Sequence, residues 1–378
     1  MRPLRPRRSG TVLVVTVLMM VTLLTMVAFA VDLGYIQVVQ SQLQRSADAA
    51  AIAATWKLLD KQRPGSTVST AALGEVRTVA AQFAGYNHVV NAAPGLTADD
   101  TTVGQLGYPF NKSVALTFDA PGRFNGVTVR VRRTEQHNGS VGLFFARVAG
   151  IDSCELEAEA TATFLNNFAG FRAPSEPGKN LDLLPFALDK QTWDALLQGT
   201  GTDNYHYDPS TGLVSSGTDG ILEVNLYPQG TGSPGNRGTV DIGSSNNSTA
   251  DISRQIRSGV SESDMAHHGG QLVFNSNGEL FLNGDTGISA GVKDDLASII
   301  GKPRIIPIFS AVNGPGNNAQ YTIVQFAGVR ILYVKLTGSN STKKVIIQPA
   351  AVLAAGAIPA PGTAVKSHYV YSPVWLVK

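Results

Sequence analysis

Residues 11–31 read TVLVVTVLMMVTLLTMVAFAV and contain no ionisable side chain. As an α-helix this stretch would be about 31 Å long, which matches a bilayer hydrocarbon core of about 30 Å. Asp32 is the first acidic residue of the chain. Four arginines precede the stretch: Arg2, Arg5, Arg7 and Arg8. Because flanking basic residues are retained in the cytoplasm, we predict a single-pass membrane helix over residues 9–31, with the N-terminus inside and the bulk of the chain extracytoplasmic.

A cleaved secretory signal peptide is the alternative interpretation of this stretch. Ala28-Phe29-Ala30 resembles an A-x-A cleavage site. However, the apolar segment of a signal peptide is about 7–15 residues long, which is shorter than the stretch seen here. The helical pattern also continues beyond Ala30, so we favour a retained anchor.

Residues 32–62 are predicted to continue this helix outside the membrane. They contain no proline and one glycine, Gly34, and Arg63-Pro64-Gly65 follow them as a stop signal. Residues at alternating spacings of three and four lie on one helical face, and this face is rich in alanine towards its C-terminal end: Leu33, Ile36, Gln40, Leu43, Ala47, Ala50 and Ala54. Small side chains let another helix approach closely, so this face is suited to partner helices. Packing on the chain's own folded part is an equal alternative.

The rest of the chain mixes helical and strand patterns and predicts an α+β fold with two β-rich extracytoplasmic domains. Residues 69–86 have helical periodicity, whereas residues 127–133 and 154–164 alternate with a period of two. The predicted organisation is a basic tail (1–8), the transmembrane helix (9–31), the helix extension (32–62), a small α+β domain (63–165), a linker (166–179) and a second α+β domain of unknown role (180–378).

Within residues 180–378 we predict an alternation of short helices and strands. Asp189 is expected to cap a helix that contains Trp193. The last segment, residues 368–377, is predicted to close the sheet of this domain. The other predicted helices are residues 252–256 and 289–300, and the predicted strands are residues 220–227, 279–282, 304–309, 321–333 and 344–348.

The composition excludes several classes of protein. Charged residues make up 15% of the chain, against a usual share of about 25%, which argues against a disordered chain and a coiled-coil rod. Cys154 is the single cysteine, so an internal disulfide and a cysteine-based zinc site are excluded. No basic stripe with interleaved aromatic residues is present, so no nucleic-acid partner is predicted.

Three blocks of sequence around the apolar stretch have a specific order. Residues 8–10 (RSG) precede it, residues 30–35 (AVDLGY) follow its end, and residues 42–54 read QLQRSADAAAIAA. In these blocks the N-terminal region resembles the TadE/TadG-like proteins of Tad (Flp) pilus assembly. Residues 144–150 (FFARVAG), followed by an Ala/Thr-rich strand, are similar to the small domain that follows the anchor in that family.

The resemblance implies a pseudopilin-like, single-pass protein of the bacterial inner membrane that acts as a structural component of pilus assembly. Its implied partners are the lipid bilayer and other pilus-assembly membrane proteins, and self-association through the N-terminal helix is left open. No cofactor and no enzymatic activity are expected. The residues assigned to the membrane anchor and the helix-packing face are Arg8, Gly10, Asp32, Leu43, Ala47, Asp48, Ala50 and Ala54.

Two features associated with related families are missing from the sequence. Residues 11–15 after Gly10 contain no glutamate, so prepilin-type cleavage at Gly10 is not expected. Asp241-Ile-Gly243 has glycine where an Asp-x-Ser-x-Ser metal motif needs serine. His267-His268 with Glu262 and Asp264 could form only half of a metal site, and we predict no metal.

Two other functions remain as alternatives. Residues 287–291 (GISAG) match the G-x-S-x-G pattern of a serine hydrolase, with Asp294, Asp295 and His368 as further triad candidates. A surface ligand-binding module, using the Gly/Asn/Ser-rich loops of residues 180–378, is the second alternative. Strand spacing typical of hairpins argues against the repeated βαβ units of an α/β-hydrolase.

Overall fold

The computed structural model describes residues 11–65, 68–107, 115–174, 176, 178–226, 238–243, 248–284, 290–315, 318–338, 342–360 and 364–377. In these residues the chain forms one long N-terminal helix followed by a β-rich region with mixed sheets, as the sequence predicts.

The first helix, α1, runs without interruption over Thr11–Asp60 and is about 75 Å long. Its N-terminal half contains no helix-breaking residue, and Gly34 is accommodated within it. The helix ends where the sequence predicts: backbone N–H groups of Lys61 and Gln62 still bond back to the last turn, Pro64 follows, and Gly65 adopts φ +78°. The anchor and its extension are therefore one continuous element.

In the described part of the chain five shorter helices follow, and four of them begin at a side-chain cap. Ser69 accepts the N–H of Ala72 at the start of α2. Asp189 accepts the N–H of Thr192 at the start of α3, and this cap is the one that the sequence predicts. The helices are α2 (Thr70–Tyr86), α3 (Lys190–Leu197), α4 (Thr249–Ser258), α5 (Glu262–Ala266) and α6 (Lys293–Ala297).

The strands are mostly short, and two long ones form the centre of the larger sheet. In chain order they are β1 (Thr101–Leu106), β2 (Leu116–Thr117), β3 (Gly126–Arg133), β4 (Val141–Gly142), β5 (Ser153–Cys154), β6 (Leu156–Thr163), β7 (Phe168–Arg172), β8 (Leu188–Asp189), β9 (Tyr205–Asp208), β10 (Leu213–Ser216), β11 (Val224–Asn225), β12 (Gln271–Val273), β13 (Leu280–Asn283), β14 (Pro303–Asn313), β15 (Gln320–Lys335), β16 (Lys344–Pro349), β17 (Val352–Leu353), β18 (Ala357–Pro359), β19 (Ser367–His368), β20 (Val370–Tyr371) and β21 (Trp375–Leu376).

The first sheet is antiparallel, with strand order β2-β1-β3-β6-β21, and α1 and α2 pack against it. Side chains alternate between the two faces of β3 and β6, and one face points towards the helices. The residues on that face share one core with the C-terminal half of α1: Val127, Val129, Val131, Ala158, Ala160 and Ala162. Gly104 in β1 allows β2 to pair closely, since an added Cβ would lie 2.8 Å from the carbonyl oxygen of Thr117.

The larger sheet has the order β11-β16-β15-β14-β8, with β13 and β19 also pairing with β15. Successive residues of β14 point to opposite sides, so Ile305 joins one buried cluster and Ile306 the other. The pairs β8–β14 and β15–β19 are parallel and the remaining pairs in this sheet are antiparallel. The sheet thus has a hydrophobic core on each face.

Several elements differ from the sequence prediction. Within the described residues of 220–227 the strand is limited to β11, and the predicted helix 289–300 is shortened to α6 after a 3₁₀ turn at Ala290–Val292. Residues 166–179, predicted as a linker, contain β7, whose Phe168 and Phe171 are fully buried.

The C-terminal segment divides among three sheets and does not close a single one. β19 pairs with β15, β20 pairs with β17, and β21 pairs with β6 of the first sheet. The Tyr371 hydroxyl donates to the carbonyl oxygen of Gln62 at 2.7 Å, and the N–H of Leu165 donates to Ser372 at 2.8 Å. The last residues therefore connect the two β-rich parts of the chain.

Candidate functional site: the membrane anchor and its exit

The N-terminal part of α1 is exposed along most of its length. From Val12 to Val31 every side chain except Ala28 is exposed. Three threonine hydroxyls in this span satisfy themselves by donating to the carbonyl oxygen four residues earlier, at 2.8–2.9 Å: Thr16, Thr22 and Thr25. Within the described residues, α1 is the one helix long and apolar enough to cross a membrane.

Asp32, at the end of the apolar span, is only 3% exposed and caps a turn of the folded part. Its carboxylate accepts three backbone N–H groups, from Phe144 at 2.9 Å, Phe145 at 3.0 Å and Ala146 at 2.7 Å. These donors lead into a 3₁₀ turn over Ala146–Ala149. The carboxylate thus accepts the N–H groups at the start of this turn. It thereby connects the turn to α1 one residue past the apolar span.

The charge state of Asp32 follows from these contacts. Burial alone would raise its pKa, but the N–H donors of Phe144, Ala146 and Phe145 and the positive charge of Arg147 outweigh burial and hold the pKa below its usual value. The side chain is therefore a carboxylate at neutral pH. The rings of Tyr35 and Phe144 meet edge to face, with centroids 5.0 Å apart, and reinforce the same contact.

The predicted helix-packing face lies inside the chain's own core from Leu43 onwards, whereas Leu33 at its start is 60% exposed. Leu43, Ala47, Ala50 and Ala54 are fully buried among residues of α2 and the first sheet. This face therefore packs on the chain's own folded part, which is one of the two arrangements that the sequence allows. Small residues on both helices permit close contact, and the Ser46 hydroxyl donates to the carbonyl oxygen of Ala84 in α2 at 3.1 Å.

Polar side chains of α1 also bond to the backbone of β6. Gln40 donates to the carbonyl oxygen of Glu157 at 2.8 Å, and Thr55 lies 3.3 Å from that of Ala162. Asp48, the remaining predicted residue of this face, is half-buried and accepts from Gln44 at 2.8 Å. The contacts from Gln40 to Thr55 hold this part of α1 against the first sheet.

Two predicted anchor residues, Arg8 and Gly10, lie outside the described residues, as does Ser289 of the hydrolase pattern. The described triad candidates make other contacts: Asp295 pairs with Arg257 at 2.6 Å, and the His368 ring accepts from the Trp193 indole at 3.1 Å. Burial lowers the pKa of His368.

The candidate half-site around His267 and His268 is occupied by an ion pair. Both oxygens of Asp264 accept from Arg254, at 2.9 and 2.5 Å. Burial lowers the pKa of His268. Within the described part of the chain, no three His, Cys, Asp or Glu residues are grouped as a metal site would require.

A cavity of about 730 Å³ lies beyond the C-terminal end of α1, between the two β-rich parts. Lys61, Arg63 and Arg123 are among its lining residues. Lys61 pairs with Glu75 at 2.7 Å and Arg63 pairs with Asp60 at 2.6 Å, so these two charges are already compensated.

Comparison with known proteins assigns the first element. A family model described as "Putative Flp pilus-assembly TadE/G-like" matches residues 10–57. The N-terminal region is TadE/G-like. No curated protein and no solved structure matches the chain. The matched TadE/G-like region covers nearly all of α1, including Asp32 and the buried alanine face, and stops before the sheets.

Asp32 and residues 144–150 are both singled out by the sequence, but the contact between them is not predicted from it. Their contact spans more than 110 residues of chain. The position of Asp32 directly after the apolar span is the sequence signal for this contact. A buried carboxylate is costly unless hydrogen-bond donors contact it, so a buried Asp32 requires donors from elsewhere in the chain.

Proposed function

We propose that this chain is a membrane-anchored structural component of a Tad (Flp) pilus-assembly machine or a related secretion machine. The observation that carries the proposal is α1: a TadE/G-like helix whose first part is apolar and exposed, and whose second part is packed into the folded domain. We assign the protein to the bacterial inner membrane, with the arginine-rich tail in the cytoplasm and the bulk of the chain extracytoplasmic.

The proposed role is physical. The continuous helix fixes the β-rich parts at a set distance and orientation from the bilayer, because no break separates the span from the buried segment. Since Leu43, Ala47, Ala50 and Ala54 are used internally, we place contacts with other pilus-assembly membrane proteins, or with a second copy, on the exposed span. No catalytic step is part of this proposal.

Photo-crosslinking in the native membrane tests this role. A benzophenone amino acid is placed at Leu24, which is 59% exposed in the span, and a matched control at Leu213, which is 68% exposed on the short strand β10. We expect adducts between position 24 and other membrane components of the pilus machine, and none of these at position 213. Absence of such adducts at position 24, in membranes that contain the assembled machine, would contradict the proposed role.

A labelling experiment separates this proposal from the hydrolase alternative. A structural component should not react with a fluorophosphonate probe. Labelling of the wild-type protein that is lost in Ser289→Ala would favour the hydrolase.

A further inference from the structure

The turn that Asp32 holds carries a concentration of exposed apolar side chains. We call residues 143–152, between β4 and β5, the exit turn. Phe144 is 60% exposed, Phe145 48%, Val148 94% and Ile151 52%. Globular domains rarely leave several large apolar groups side by side in water without a function, so the exit turn calls for an apolar neighbour.

The position of the exit turn identifies that neighbour. Its backbone is bonded to Asp32, and Phe144 packs on Tyr35, so it lies beside α1 at the end of the apolar span. Ala28, one turn earlier on the same helical face as Asp32, is half-buried, whereas the other side chains between Val12 and Val31 are exposed. The exit turn therefore reaches the level at which the span, about as long as the hydrocarbon core is thick, leaves the bilayer.

The side chains of the exit turn match the chemistry of that zone. Exposed phenylalanine and aliphatic side chains gain free energy by entering the boundary between headgroups and acyl chains. Arg147 is exposed within the same turn and is suited to lipid phosphates. The Asp32 carboxylate keeps its charge, and three backbone N–H groups already donate hydrogen bonds to it.

We propose that the exit turn is a second membrane contact. Phe144, Phe145, Val148 and Ile151 enter the interfacial region of the bilayer next to α1, and Arg147 contacts phosphate groups. The folded domain is then held at two points, the span and the turn, which fixes its tilt relative to the membrane. This inference rests on the membrane anchoring proposed above.

The test uses the full-length protein in phosphatidylcholine/phosphatidylglycerol vesicles with one fluorescent label. Val148→Cys is made in a Cys154→Ser background and labelled with an environment-sensitive nitrobenzoxadiazole dye; the high exposure of Val148 makes the substitution compatible with folding. The matched control is Phe118→Cys, which is 56% exposed beside Gly104, at the end of the same sheet that is remote from Asp32. Circular dichroism verifies the fold, and flotation verifies anchoring.

We expect the label at position 148 to shift to the blue and to lose most of its emission when lipids carry a nitroxide near the headgroup. The label at position 118 should show neither change. Water-like emission at position 148 in protein that floats with the vesicles would overturn the exit-turn proposal alone. A blue shift without quenching by the lipid nitroxide would also overturn it, in favour of a protein neighbour. Failure to float would overturn the anchoring itself.

Discussion

Asp32 has two roles in the structure. Its charge ends the apolar span, and its buried carboxylate organises the turn that begins at Phe144. A carboxylate provides acceptor oxygens for all three N–H groups, which a neutral side chain of the same size cannot do. In the proposed anchoring, Asp32 therefore sets where the helix leaves the membrane and which turn of the folded part lies beside that point.

Asp32→Asn should loosen the exit turn. The amide NH₂ group would face one of the N–H donors of Phe144, Phe145 or Ala146 and leave it without an acceptor. We expect faster amide hydrogen exchange at residues 144–146 with little change elsewhere. Asp60→Asn is the control, because Asp60 forms an exposed ion pair with Arg63. Unchanged protection of residues 144–146 would contradict the proposed role of the carboxylate.

The same contact should depend on pH in one direction. The pKa of Asp32 is lower in the folded protein than its ordinary value of 3.8, so its stabilising contribution is complete above that value and is lost as the pH falls through the folded-state pKa. Protection factors at residues 144–146 should stay constant from neutral pH down to about pH 4 and fall only below it.

The buried alanines are the second feature at the residue scale. Ala47→Leu or Ala50→Leu would add three carbons to a core with no exposed surface at these positions, which typically costs about 1–3 kcal/mol. Ser41→Leu, on the exposed side of α1, is the control and should leave stability nearly unchanged. Thermal unfolding of the purified protein in detergent measures both. Equal stability of all variants would indicate that this face instead contacts partners.

At the scale of elements, α1 is continuous from the apolar span to the segment packed on the first sheet. In the proposed anchoring, this continuity fixes the position of the sheet relative to the membrane. Gly34 lies just past the span, has helical neighbours on both sides, and has open space around its Cα. Gly34→Ala should therefore stabilise the helix by about 0.5–1 kcal/mol, whereas Gly34→Pro should cost about 3 kcal/mol or more. Circular dichroism of the reconstituted protein during heating distinguishes them. Destabilisation by alanine would reveal a need for flexibility or close approach at Gly34.

Elements governed by local patterns were predicted well. α1 and α2 follow from helical periodicity and from the stop signal at Pro64, and β3 and β6 follow from alternation with a period of two. Elements that depend on distant partners were not. Phe168 and Phe171 lie in a stretch flanked by proline and glycine, and their burial comes from pairing with β12 and β18. The contact of Asp32 with the exit turn has the same origin.

At the scale of the whole molecule, the C-terminal segment joins the two β-rich parts. β21 extends the first sheet, although it follows strands that belong to the larger one. Tyr371 lies between them, and burial raises its pKa, so its hydroxyl remains a donor to Gln62 under all ordinary conditions. The predicted domain boundaries at residues 165 and 180 stay predictions, and any test of them must include this returning segment.

Tyr371→Phe should lower the free energy of unfolding by about 0.5–1.5 kcal/mol, because it removes the hydrogen bond to the carbonyl oxygen of Gln62 without changing the ring. Tyr86→Phe is the matched control, since Tyr86 is 67% exposed. Chemical denaturation in detergent measures both. An unchanged midpoint for Tyr371→Phe would show that this link does not stabilise the junction.

The central claim is that a retained apolar span holds a large domain outside the cytoplasm. Its most direct test is to fractionate cells that express the full chain and then to treat spheroplasts with protease. We expect the protein to stay with the membranes after alkaline carbonate extraction, and external protease to digest the β-rich parts while leaving a short N-terminal fragment that contains residues 11–31. Recovery of the protein in the soluble fraction, with its N-terminus at or after residue 31, would contradict the claim.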